Sequence, residues 1–151
     1  MKPVSKIITA ILLTAVCSIH LFVQSNIIDL SVVSPTTSGT GWTYNHVYTI
    51  ANGADVTVIG DDVNDYRRIV IEANATAMLT LDNATINTPS TDYGQGAIML
   101  DTNATLTLNL VGTNSVTGAD SWPAIAWQPQ FNFSGFSINN RYPIRHRVIF
   151  F

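Results

Sequence analysis

Residues 71–86 read IEANATAMLTLDNATI and residues 101–110 read DTNATLTLNL, so Asn-Ala-Thr occurs at Asn74, Asn83 and Asn103. Each triplet satisfies the acceptor pattern for N-glycosylation. Each also fits as one corner of a structural repeat, and the neighbouring residues choose between the two. Three segments align without gaps: IANGADVTV (50–58), IEANATAML (71–79) and LDTNATLTL (100–108). Each opens on an aliphatic residue (Ile50, Ile71, Leu100), carries alanine fifth (Ala54, Ala75, Ala104) and closes on another aliphatic (Val58, Leu79, Leu108). The fourth column reads Gly53, Asn74, Asn103. A glycan acceptor cannot be replaced by glycine, whereas both residue types tolerate a left-handed backbone. The column therefore reads as a left-handed bend before a strand. Extending the alignment sets Asn83 opposite Gly112, which adds a second pair of the same kind. Asn132, in NFS, fits the acceptor pattern outside the repeat.

The flanks carry the register further. Tyr48, Ile69, Ile98 and Ile125 form a column two residues ahead of the leading aliphatic position. After the bend, TLTLNL alternates Leu106, Leu108 and Leu110 with Thr105, Thr107 and Asn109, the period of a strand with one buried face. Leu79 and Leu81 repeat this, and Ile86 and Val116 close the two copies at comparable points. No helical periodicity occurs between residues 26 and 126. Short strands, polar bends and a 20–30-residue period predict an all-β solenoid in which each copy is one coil. A single coil cannot bury its own inner face, so stability needs about three. The chain supplies about that number, after the lead-in GTGWTYNHVYTI, in which Trp42 and Tyr44 are expected to cover the first coil.

Charge is distributed unevenly over the 151 residues. All ten acids fall between Asp29 and Asp120, opposed there only by Arg67 and Arg68, so residues 26–126 carry −8. Such a body argues against nucleic acid as a partner, which requires lysine and arginine to displace counterions. Residues 1–25 read as an export signal: Lys2 and Lys6 precede the apolar run IITAILLTAVCSI, and Val23 and Ser25 flank a cleavage position. The run is too short for a membrane span. The expected location is secreted or cell-surface, with no stable span after cleavage. Cys17, the single cysteine, lies in this segment, leaving no disulfide in the mature chain; TAVC also offers it as a lipoprotein acceptor.

GDDVNDYRR (60–68) is the one charge cluster. Asp61, Asp62 and Asp65 supply the hard oxygen ligands that calcium takes, without the glycine and glutamate positions of an EF-hand loop. The competing reading is a solvated turn balanced by Arg67 and Arg68 as surface charges. Glu72 and Asp101 share one repeat position, where stacked carboxylates repel unless a cation or water intervenes. No nucleophile motif, Cys/His metal spacing or phosphate-cradling glycine loop is present, and no carboxylate pair is placed by a motif. The chain is read as non-enzymatic.

With these residues in place, GWTYNHVYTIANGADVTVIG, RRIVIEANATAMLTLDNATI and AIMLDTNATLTLNLVGTNSVTGA resemble a family of secreted bacterial right-handed parallel β-helices, related in fold to pectate lyases and labelled carbohydrate-binding. The resemblance covers about residues 41–119. It implies a right-handed parallel β-helix of about three coils over residues 26–126, and a polysaccharide partner, acidic plant polysaccharide among them. Aromatic rings are the usual platform for sugars, which nominates Tyr66, Tyr93 and Trp122. The alternative is a structural or adhesive surface segment that associates through open coil ends, and the third reading is a polysaccharide lyase remnant. The pattern departs after Ile125, where the repeat calls for an aliphatic near position 127 and Gly or Asn near 130. Residues 127–151 instead hold five of the six phenylalanines, three arginines and no acid. Two readings of this tail follow: a shifted reading frame or early stop in a longer protein, or an amphipathic cap on the last coil.

Overall fold

The computed structural model describes residues 25–62, 67–88, 96–119 and 123–127, and the backbone of 136–140. In chain order its strands are β1 (Ile27–Asp29), β2 (Ser38–Gly39), β3 (Trp42–Asn45), β4 (Val47–Ile50), β5 (Asp55–Asp61), β6 (Arg68–Ile71), β7 (Thr76–Asn87), β8 (Ile98–Leu100), β9 (Thr105–Val111), β10 (Ser115–Thr117), β11 (Ile125–Trp127) and β12 (Phe136–Asn140). No helix occurs among the described residues. One sheet runs β1-β5-β7-β9-β12, with β10 on the far half of β7, and the other runs β11-β8-β6-β4-β3-β2. From β4 onward the chain passes from one sheet to the other and back, and each returning strand pairs in parallel with an earlier one. The chain is all-β with mainly parallel sheets. Among the described strands, only β2–β3 and β3–β4 are antiparallel.

Inward side chains explain this order. Tyr48, Ile69, Ile98 and Ile125 lie opposite one another in one ladder, the column read from the sequence. Ile50, Ile71 and Leu100 form the next. On the other sheet Val56, Leu79 and Leu108 align, as do Ile28, Val58, Leu81 and Leu110. All are buried, and both sets belong to one hydrophobic cluster. Burying a side chain of this size is worth about 1.5–3 kcal/mol. Each new strand gains that only by landing in register on the one before.

The first repeat copy departs from its ungapped alignment. Ile50 does lie opposite Ile71, but Val56 rather than Val58 lies opposite Leu79. The second and third copies keep one offset from Ile71–Leu100 through Leu79–Leu108. A slip of two residues leaves every side chain on its original face, so aliphatic alternation does not detect it.

All five residues assigned to left-handed turns have positive φ: Gly53 (77°), Asn74 (60°), Asn83 (51°), Asn103 (58°) and Gly112 (68°). Asn103 Nδ2 donates to Asn74 Oδ1 at 3.1 Å, which stacks those two corners directly. Gly53 stands out of line with them because of the slip. Its N–H donates to the Thr76 carbonyl at 2.8 Å, while Thr76 N–H donates to Asn52 Oδ1 at 2.9 Å. A second left-handed column follows Ile59, Asp82 and Val111, which share a ladder position: the next residues are Gly60 (φ 78°), Asn83 and Gly112. The β5–β7 register shifts between Ile59 and Gly60, so Asn83 is the extra residue of a bulge. Asn83 Oδ1 accepts the Thr113 N–H at 3.1 Å, and a Cβ on Gly112 would overlap the Asn83 amide.

The ladders continue where the repeat sequence stops. Trp127 faces Leu100 at the position calling for an aliphatic and is about half exposed. Beyond it, the backbone of β12 pairs with β9 from Phe136–Leu106 to Asn140–Leu110. At the other end the β2–β3 hairpin covers β4. There Trp42 meets Tyr48 edge-on at 5.6 Å, Tyr44 meets it at 4.6 Å, and Trp42 Nε1 donates to the Ser25 carbonyl.

Asn103→Gly keeps the φ but removes the amide bond to Asn74 Oδ1, and should cost about 0.5–1 kcal/mol. Asn103→Val should cost about 1–2 kcal/mol in chemical denaturation, the penalty for a side-chain-bearing residue in the left-handed region.

Candidate functional site

Of the proposed sugar-stacking residues, Tyr66, Tyr93 and Trp122 lie outside the described residues, as does Asp65 of the acidic cluster. The described part of that cluster contradicts a calcium role for Asp62. Asp61 is exposed at the end of β5, but Asp62 is buried and turned onto Arg67. Asp62 Oδ2 accepts the Arg67 N–H at 3.0 Å, and Asp62 Oδ1 lies 3.9 Å from Arg67 Nε. A carboxylate neutralised in this way is not open to a cation.

Arg67 also corrects its reading as a surface charge, since it is 1% exposed. Its guanidinium donates to the Leu30 carbonyl at 2.6 Å, to the Val32 carbonyl, and to Val33 at 3.4 Å. Burying a guanidinium requires a partner charge and acceptors for its donors. Asp62 and the three carbonyls of the segment after β1 provide them, leaving only Nε without a hydrogen bond. The one clue legible in the sequence is an Arg beside an Asp-rich turn, which does not distinguish a clamp from a solvated face.

Glu72 and Asp101 follow the paired residues Ile71 and Leu100, so both leave the second sheet at the same level. Glu72 is exposed, whereas Asp101 Oδ1 accepts the Thr102 N–H at 2.6 Å. Among the described residues, no group of three or more His, Cys, Asp or Glu is placed to hold a metal ion. His46 is exposed beside Asn45 at a positive-φ bend.

Two polar surfaces remain. The outward face of the first sheet stacks Thr57, Thr80 and Asn109 in one ladder, where Asn109 Nδ2 donates to Thr80 Oγ1 at 3.5 Å. Asp55, Met78 and Thr107 form the adjacent ladder. Beside Asp55, an open cleft of about 430 Å3 is lined by Asn26, Thr40, Gly41, Asn52, Gly53, Ala54 and Asp55. Asn26 Nδ2 donates to the Asp55 carbonyl at 3.1 Å and ties the segment before β1 to the cleft wall. Sequence reading missed this cleft, because its walls meet only through the β1–β5 pairing and the bend at Gly41.

Comparison with protein families, with curated proteins and with solved structures finds no match to this chain. No helix among the described residues is long and apolar enough to cross a membrane.

Arg67→Ala should cost about 3–5 kcal/mol, because it strands a buried carboxylate. Replacing both partners, Arg67→Met with Asp62→Leu, should recover much of the loss in urea melts. Burial pushes the Tyr48 hydroxyl up to about 12, against the opposing pull of Arg67. The unfolded tyrosine ionises near 10 while the folded one stays protonated. Stability should therefore hold below pH 10 and fall as pH rises toward 12. Tyr48→Phe should remove a tyrosine transition near pH 12 from an ultraviolet absorbance titration.

Proposed function

We propose that the chain is an exported, non-enzymatic module built as a right-handed parallel β-helix, and that it binds extracellular or cell-wall polysaccharide through its outward polar ladders. The observation that carries this reading is the repetition of polar side chains in register on the outward face of the first sheet, Thr57–Thr80–Asn109, beside a ladder in which the exposed Met78 separates Asp55 from Thr107. Neighbouring strands are spaced about 4.7–4.9 Å apart. Hydrogen-bonding groups therefore recur along one line, which suits a ligand that is itself a linear repeat of hydroxyl-bearing units. The β-helical reading is supported by the alternation between two parallel ladders around one shared core. Calcium enters as a proposed auxiliary at the Glu72–Asp101 level, where two carboxylates leave adjacent strands.

A second reading is a structural or adhesive segment of a longer surface array. The observation favouring it is that β12 extends the β9 ladder beyond the end of the recognisable repeat. Added length therefore adds strands to the same stack.

A glycan array probed with the full-length chain, with and without chelator, separates the two. Saturable retention on a polysaccharide is expected for the binding module, and silence across the array would favour the structural segment. Turnover of polygalacturonate at alkaline pH with calcium would instead support a lyase.

A further inference from the structure

We propose that the export signal is removed upstream of Ser25, so that Ser25 stays in the mature protein as part of its fold. This rests on the export reading and moves only the cut, which the small residues Val23 and Ser25 place between Ser25 and Asn26.

The Ser25 carbonyl is the first reason. It accepts the Thr40 N–H at 3.0 Å and the Trp42 indole N–H at 3.1 Å. Gly39 leaves room for this contact, since a Cβ there would overlap both the Ser25 oxygen and the Trp42 ring. Strand β2, the turn after it and β3 thus converge on one peptide oxygen. Trp42 is buried and belongs to the hydrophobic cluster. Its indole nitrogen can only donate, and a buried donor deprived of its acceptor is destabilising.

The position of the Ser25–Asn26 bond is the second reason. Ser25 is tied to the hairpin of the second sheet, and its Oγ accepts the Ile27 N–H at 3.0 Å. Asn26 is tied to the first sheet: its carbonyl accepts the Thr57 N–H at 3.0 Å, and its Nδ2 donates to the Asp55 carbonyl at 3.1 Å. This peptide bond therefore joins the two sheets at their N-terminal end. Hydrolysis there would carry Ser25 away as a carboxylate and leave an ammonium on Asn26. An ammonium donates and cannot accept. The Thr40 and Trp42 N–H groups would then aim at a place stripped of its acceptor and next to a positive charge.

The leader supplies another cut. Ala15 and Cys17 repeat the small-residue spacing of Val23 and Ser25, and they stand at the end of the apolar residues 7–16 that follow Lys2 and Lys6. An apolar region of that length followed at once by small residues is the pattern of a cleaved signal. Hydrolysis of the Cys17–Ser18 bond leaves a carboxylate on Cys17 and an ammonium on Ser18, well ahead of the hairpin contact.

The test expresses the full chain with its own leader in a bacterial host and reads the N-terminus of the exported protein by Edman sequencing and intact mass. Ser18, or a lipid-modified Cys17, is the expected first residue, and either one keeps Ser25. Asn26 as the first residue would overturn the proposal. Ser25→Tyr, at an exposed position, sets a bulky side chain where a cut after Ser25 needs a small one. Its processing should match wild type, and accumulation of uncut precursor would count against the proposal. In the exported wild type, the Thr40 amide and Trp42 indole protons should exchange with deuterium at least about tenfold more slowly than in the unfolded chain. Exchange at the unfolded rate would remove the role given to the Ser25 carbonyl. A chain retained uncut in the cytoplasm would remove the export reading itself, which an N-terminus at Asn26 would leave standing.

Discussion

Register between successive parallel strands is the constraint on which everything else in this chain depends. A strand that returns to its sheet can bury Leu79 against Leu108, or Ile71 against Leu100, only if the intervening turns consume a fixed amount of chain and send it back in the same direction. Left-handed corners do this. Asn74 and Asn103 are held together by their own side-chain amides, and Asn83 by the main chain beyond Gly112. The corner thus both turns the chain and bonds to the next corner. Asparagine suits this better than glycine wherever a neighbouring corner is present to receive the amide. Gly53, displaced by two residues from its counterparts, has no such partner, and Asn52 takes over the contact to Thr76.

Where the ladders begin, a different physics operates. Among the described residues, no strand pairs with the segment after β1, and Arg67 reaches across to take the carbonyls of Leu30, Val32 and Val33. A buried guanidinium requires a counter-charge, which explains why Asp62 turns inward while its neighbour Asp61 stays in water. The same corner holds Tyr48 beneath Trp42 and Tyr44, within the field of Arg67. This end of the sheets is therefore covered by polar bonds and aromatic packing, in contrast to the aliphatic columns of the later strands.

Register also orders what it leaves outside. Outward residues repeat at the strand spacing as surely as inward ones, so Thr57, Thr80 and Asn109 form a polar line for the same reason that Val58, Leu81 and Leu110 form an apolar one. Among the described residues, no group of three or more His, Cys, Asp or Glu gathers to hold a metal ion.

The sequence by itself determined the strands, the inward columns and the left-handed corners, because period-two alternation and the Gly/Asn exchange are direct signatures of side-chain burial and positive φ. It located Asn83 opposite Gly112 from alignment alone but missed Gly60, since the bulge at Asn83 shifts the register by one. Tertiary structure alone decided the two-residue slip of the first copy, because both registers keep the same residues inside. It also decided that Arg67 is a buried clamp, because its acceptors lie more than thirty residues earlier in the chain. The cleft beside Gly53 belongs to this second group. Its walls come from residues 26, 40–41 and 52–55, and only strand pairing and the bend at Gly41 bring them to one place.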